Sequence, residues 1–176
     1  MAQHTDQDGC LDAISPPPEQ LETLKIYGHV GKLPAWTKLL SNLRKMKLRL
    51  TMITQDEVDL LANLASLHTL CLCFKEFQYE ELRFKGYRCF RSLLVLKITC
   101  NCRIHSITFE ERVMWSLQVL KIHCSNLSSL KFFGLKELED LREVTLHGSY
   151  DNKLKQNLRS QLGEHPREIK PFLKLN

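Results

Sequence analysis

Two stretches decide how this chain folds: Leu93-Leu94-Val95-Leu96-Lys97-Ile98 and, 24 residues further on, Leu117-Gln118-Val119-Leu120-Lys121-Ile122. Both read Leu-x-x-Leu-x-Leu with Ile in the last place. The same pattern recurs on one side at Leu141/Val144/Leu146 and on the other at Leu67/Leu70/Leu72, Leu43/Met46/Leu48 and Leu21/Leu24/Ile26. The six starts are 22, 24, 26, 24 and 24 residues apart. Six copies in one phase exceed chance spacing, and a fixed period in the range of about 20–29 residues marks a solenoid of leucine-rich repeats.

The period-two alternation inside each copy predicts a short strand. Positions 4 and 6 point inward, and positions 5 and 7 point out. The rest of each repeat must bring the chain back to the next strand. Thr54 to Glu57 has capping-box spacing ahead of Val58, Leu61 and Leu64, which predicts a helix for that return. The other returns carry apolar residues without clear periodicity: Leu33-Pro34-Ala35-Trp36 with Leu39 and Leu40; Leu82, Phe84, Tyr87 and Phe90; Val113, Met114 and Trp115; Phe132, Phe133, Leu135 and Leu138. Short helical turns and loops are expected there. The expected class is α/β: a leucine-rich-repeat solenoid with a parallel concave β-sheet and short helical or irregular convex returns.

Size and composition agree. A chain of 176 residues with 43% hydrophobic content has enough apolar material for one continuous core. The formal charge of +5 is mild and far from a nucleic-acid arm. Met1 to Gly9 has neither a basic nor an apolar leader segment, so no secretory signal is expected. No apolar stretch approaches the roughly 20 residues of a membrane span. Seven cysteines, an odd number, read as free thiols in the reducing cytosol.

The expected organisation is a lead and remnant of a preceding repeat at 1–20, six repeats at 21–148, and a capping helix and tail at 149–176. Leu154, Leu158 and Leu162 at four-residue spacing predict the helix, with Gly163 stopping it. At the other end, Cys10-Leu11-Asp12-Ala13-Ile14 before Ser15-Pro16-Pro17-Pro18 reads as the tail of an earlier repeat. The solenoid is expected to be open there, with an uncovered first strand.

Outward strand positions are the default contact surface of such a fold. Position 5 reads Lys25, Lys47, Cys71, Lys97, Lys121 and Thr145; position 7 reads Tyr27, Arg49, Cys73, Thr99, His123 and His147. With Arg44 and Lys45 added, the expected partner-binding face comprises Lys25, Tyr27, Arg44, Lys45, Lys47, Arg49, Lys97, Thr99, Lys121, His123 and His147. Like charges on neighbouring strands oppose folding mildly, and an acidic partner relieves them. The alternative is that these lysines only keep a half-exposed sheet soluble. Aromatic groups among the charges are sparse, chiefly Tyr27 and Phe74, which disfavours nucleic acid.

No catalytic, cofactor or metal residue is expected. Cys71-x-Cys73 and Cys100-x-Cys102, even with His105, His123 and Cys124, lack the Cys-x2-Cys or wider spacing of structural zinc sites. Nothing resembles a nucleophile elbow or a Cys-His signature. Gly28-His29-Val30-Gly31-Lys32-Leu33 lacks both the four-residue spacer and the Ser or Thr of a phosphate loop. Asp56, Glu57, Glu80, Glu81, Glu110 and Glu111 fall in the returns, where a solvated face accounts for them.

Taken in order, several blocks resemble the C-terminal leucine-rich-repeat region of plant nucleotide-binding disease-resistance proteins, the coiled-coil class of grasses most. They are Leu11-Asp12-Ala13-Ile14-Ser15-Pro16-Pro17, Leu21-Glu22-Thr23-Leu24-Lys25-Ile26-Tyr27-Gly28, Leu33-Pro34-Ala35-Trp36, Leu82-Arg83-Phe84 with Phe90-Arg91-Ser92-Leu93, Phe109-Glu110-Glu111 with Trp115-Ser116-Leu117, and His165-Pro166. The resemblance covers residues 10 to 176. It implies an intracellular module that senses a pathogen effector or a guarded host protein and restrains a nucleotide-binding switch. The family's ATP-binding module and signalling coiled coil have no counterpart here, so the chain reads as part of a larger receptor or a truncated product. A freestanding repeat scaffold and a ubiquitin-ligase adaptor stay open beside this reading.

Overall fold

The computed structural model describes residues 14–28, 32–100, 104–124 and 130–176. Among these residues, ten strands and two α-helices follow in chain order: β1 Thr23–Gly28, β2 Lys45–Ile53, α1 Gln55–Leu61, β3 Thr69–Phe77, β4 Glu81–Phe84, β5 Val95–Cys100, β6 Ser106–Phe109, β7 Val119–Cys124, β8 Lys131–Phe133, β9 Glu143–Gly148, α2 Asn152–Gly163 and β10 Phe172–Leu175. Single 3-10 turns occupy Ala35–Leu39 and Leu135–Glu137.

The six predicted repeat strands are β1, β2, β3, β5, β7 and β9. They lie side by side in one parallel sheet, in the order of the repeats, with β10 as a seventh strand. From the second copy on, each buries its pattern residues. The first leucines from Leu43 to Leu141 have no exposed surface, and Met46, Leu70, Leu96, Ile98, Leu120, Ile122, Val144 and Leu146 are equally sealed. Leu21 and Leu24 are only half-buried, as expected of the edge strand β1.

One backbone carbonyl per repeat ties the strand entries together. Glu22 O accepts from Arg44 N and Lys45 N, and the motif repeats at Arg44 O, His68 O, Leu94 O and Gln118 O. At the last step Arg142 O accepts from Phe172 N alone. The other place in that register falls to Pro171, which has no N–H.

The returns differ in part from expectation. The helix after Thr54 forms, and its capping box is complete: Thr54 Oγ1 accepts from Glu57 N at 3.3 Å, and Thr54 N donates to Glu57 Oε2 at 2.8 Å. The other carboxylate oxygen of Glu57 accepts from Leu33 N at 3.0 Å, stitching the helix to the previous return. In the next three repeats, however, the returns contain strands. β4, β6 and β8 pair in parallel as a second, three-stranded sheet. Leu82 and Phe84, Ile107 and Phe109, and Phe132 alternate inward from it, and Phe84 stacks on its register partner Phe109 with centroids 5.2 Å apart. Tyr87, Phe133 and Leu39, named above among the apolar residues of the returns, are instead exposed.

Both free edges of this small sheet are closed by a carboxamide. Asn157, on α2, accepts from Phe132 N at 2.6 Å and donates to Phe132 O at 3.1 Å. Gln55, opening α1, does the same for Arg83 at the other end, accepting at 3.1 Å and donating at 2.7 Å. Each side chain thus supplies the donor and acceptor of a missing strand.

At the C-terminal end, α2 seats Leu154, Leu158 and Leu162 in the core. Gly163 is its last residue rather than the stop; Glu164 caps the helix in right-handed conformation, and Pro166 follows. The tail adds β10 beside β9, with Leu173 opposite Val144 and Leu175 opposite Leu146. The anticipated remnant of an earlier repeat falls mainly on residues 1–13, outside the described residues, as do residues 29–31 of the Gly28 to Leu33 turn.

Candidate interaction surface

The parallel register turns sequence positions into straight columns. Lys25 lies opposite Lys47, Lys47 opposite Cys71, Cys71 opposite Lys97, Lys97 opposite Lys121, and Lys121 opposite Thr145. The column then continues to Lys174 on β10. Beside it run Tyr27, Arg49, Cys73, Thr99, His123 and His147. Adjacent members of a column are separated by the strand spacing of about 4.8 Å.

The side chains of Lys25, Tyr27, Lys45, Lys47, Arg49, Lys97, Lys121 and His123 are exposed, and those of Thr99 and His147 half-buried. Arg44 is exposed too, but it precedes β2 and stands outside the columns. Lys47 Nζ sits 5.7 Å from the centre of the Tyr27 ring, a cation over an aromatic face. The rings of His123 and His147 are 6.4 Å apart, and the Asn176 amide lies 3.5 Å from His147 Nε2.

Thr145 departs from the outward pattern. It is buried, with its hydroxyl donating to Glu143 Oε1 at 2.6 Å. Glu143 thereby brings one acid to the β9 end of a face that is otherwise basic. The five ion pairs found among the described residues, such as Lys85 with Asp59 and Arg83 with Glu81, lie away from these columns and engage none of their lysines. Apart from Glu143 at the β9 end, the positive charge of the face has no acid paired with it among the described residues.

In the β1–β5 half of the face is a depression of about 380 Å³. Its charged lining is Lys25, Lys45, Lys47, Arg49 and Lys97, with Cys71 and Cys73 on its floor and no carboxylate. The two thiols are half-exposed. Cys124 differs: it is fully buried at the end of β7, and burial pushes its thiol up to about 11. Cys89, in a return, is raised by burial first and by the charge of Asp59 second. Cys102, one of the residues weighed for zinc, lies outside the described residues. Among the described residues, no three His, Cys, Asp or Glu side chains converge as metal ligands.

A second cluster escaped sequence reading. On the returns, Arg88 lies 5.2 Å from the Tyr87 ring centre and 5.8 Å from that of Trp115, while Arg112 lies 5.7 Å from the Tyr87 ring centre on its own account. Arg88 and Arg112 both have positive φ, at 61° and 60°, and Arg88 N donates to Arg112 O. The only sequence signal is the 24-residue spacing of the two arginines.

Among the described residues, no helix is long and apolar enough to cross a membrane. No solved structure matches the chain. The chain is 30% identical over 168 residues to the disease resistance protein RGA4 of Oryza sativa subsp. japonica, a match covering 94% of this chain and 16% of that protein. It is 26% identical over 152 residues to the disease resistance protein PIK6-NP of the same organism, covering 76% of this chain and 14% of that one. It therefore spans about a sixth of the length of these relatives. The family described as leucine-rich repeat region matches residues 2–168. The chain belongs to that family, and its relatives place it with the leucine-rich-repeat regions of plant disease resistance proteins.

Proposed function

We propose that this chain is a non-catalytic protein-recognition module of plant innate immunity, working in the cytoplasm, whose concave basic columns dock an acidic protein surface. The observation that carries the reading is the column of Lys25, Lys47, Lys97 and Lys121, held in register and joined by Lys174, with no ion pair to a described carboxylate. Two like-charge pairs on neighbouring strands, Lys25 with Lys47 and Lys97 with Lys121, cost stability that the fold does not recover internally. A docked carboxylate-rich surface recovers it. The candidate partners are a pathogen effector, a guarded host protein, or the nucleotide-binding module of a receptor of the same family. Immune relatives of this sequence support the biological setting.

The test is charge reversal of Lys25, Lys47, Lys97 and Lys121 to Glu, followed by pull-down from plant extract at low salt. The native chain should retain a partner that the reversed chain loses, with circular dichroism unchanged. Retention of the same partner by both removes the reading.

A further inference from the structure

The floor of the basic depression holds the two half-exposed cysteines, and their neighbours decide what can reach them. Cys71 has Lys47 in register on one side and Lys97 on the other, whereas Cys73 has Arg49 and Thr99. The cations of this lining draw anions into a cleft of one sign of charge. The depression is within the range of about 300–1,000 Å³ typical of small-molecule sites.

We propose that Cys71 is a modification site that captures small anionic disulfides of the glutathione type, with Lys47 and Lys97 drawing in the reagent's carboxylates. The step is thiol–disulfide exchange. The Cys71 thiolate attacks one sulfur of the reagent, a Cys71–S–S bond forms, the reagent's own S–S bond breaks, and its other half leaves as a thiolate that takes a proton from water. The incoming disulfide is the oxidant.

Geometry makes the adduct the end product. Cys73 lies two residues away on the same strand face, so the two Cα atoms are about 6.6 Å apart with nearly parallel Cβ directions. Disulfides need Cβ atoms about 3.5–4.5 Å apart. Cys73 therefore does not displace the adduct. Glutathione attached here carries net negative charge into the middle of the lysine column. Its consequence, loss of an acidic partner, rests on the function proposed above; the modification does not.

The experiment treats the reduced full chain with oxidised glutathione, with neutral hydroxyethyl disulfide and with cationic cystamine. Uptake on the tryptic peptide that carries both cysteines is followed by mass spectrometry. Rates are divided by those of the urea-unfolded chain, which removes intrinsic reagent differences. Oxidised glutathione should outpace cystamine by roughly tenfold or more at low salt. The ratio should collapse in about 0.5 M salt and in the Lys47→Gln, Lys97→Gln variant. Cys71→Ser should abolish most uptake, and Cys73→Ser should not. Equal normalised rates for the two charged reagents, uptake mainly at Cys73, or a product that is an internal disulfide each overturns the proposal. The readout is mass on one peptide, so failure here is distinct from failure of the docking reading.

Discussion

Replacing Asn157 with alanine should lower stability by about 2 kcal/mol while leaving the fold in place. The side chain makes two hydrogen bonds to one residue of the β8 edge, at 2.6 and 3.1 Å, in a partly buried setting. Each is worth about 1 kcal/mol net, and leaving the Phe132 N–H and C=O partly desolvated adds about 1 kcal/mol more. Alanine is the better helix former by up to about 0.7 kcal/mol, which offsets part of the loss. Leu154, Leu158 and Leu162 stay seated, so α2 still docks. The assays are urea denaturation and hydrogen exchange at the Phe132 amide; a 2 kcal/mol loss corresponds to roughly 4–8 °C in melting temperature. Gln55→Ala supplies the internal comparison. Its bonds to Arg83 are exposed, so water replaces them and the loss should stay below about 1 kcal/mol. An Asn157→Ala loss under about 0.5 kcal/mol with unchanged Phe132 protection refutes the strand-mimic argument.

Further outcomes follow from buried His165 and from two glycines near the same end. His165 is buried, and since Leu138 O can only accept at 3.1 Å and Arg167 N–H can only donate at 3.3 Å, the ring is neutral with its proton on Nε2. Burial, helped by the charges of Arg167 and Lys170 and opposed by the Leu138 bond, holds its pKa below the ordinary value. Its contribution to stability is therefore complete above about pH 6.5 and lost as pH falls below that toward the lowered native value. His165→Gln should flatten this acid-side slope in melting temperature; an unchanged slope counts against it. At Gly134, φ is +74° and an added Cβ would stand 1.9 Å from Phe109 O, so Gly134→Ala should cost about 3 kcal/mol or more. Gly163→Ala meets nothing within 4 Å in the last turn of α2 and should instead stabilise by about 0.5–1 kcal/mol. Equal effects in thermal melts would dispose of the steric account.

The main sheet was legible because each copy repeats three apolar positions at fixed offsets, sealed from the second copy on, a long-range signal that local ambiguity cannot erase. β10 was missed because it departs from that signal at its first position. Lys170 stands three residues before Leu173 where the other copies have leucine, and its ammonium donates to His165 O rather than entering the core. The second sheet was missed for a different reason. Leu82-x-Phe84 and Ile107-x-Phe109 are alternations only two apolar residues long, and such fragments suit a loop as well as a strand. Only parallel pairing with the next return makes them strands. On the candidate face, the columns followed from period and phase. Thr145 went astray because Glu143, two residues earlier on the same strand, offers its hydroxyl an acceptor that the repeat pattern does not encode.

The unequal repeat lengths explain why the columns survive. The longest step, 26 residues from Leu67 to Leu93, contains β3 and β4, and β3 runs past the repeat core to pair Glu76 with Met52 and Phe77 with Ile53. The extra length is absorbed beyond position 7 and in the return, so Leu70 still meets Leu96, and Cys71 still meets Lys97. A length change in a return thus alters the convex side without shifting the register of the concave side by even one residue, a slip that would turn every core leucine outward. Positions 5 and 7 are consequently free to vary in chemistry while positions 4 and 6 hold the fold. This separation is what allows charge reversal at Lys25, Lys47, Lys97 and Lys121 to report on docking rather than on folding: their backbones are fixed by inward-facing neighbours on either side, and their side chains leave nothing in the core when changed.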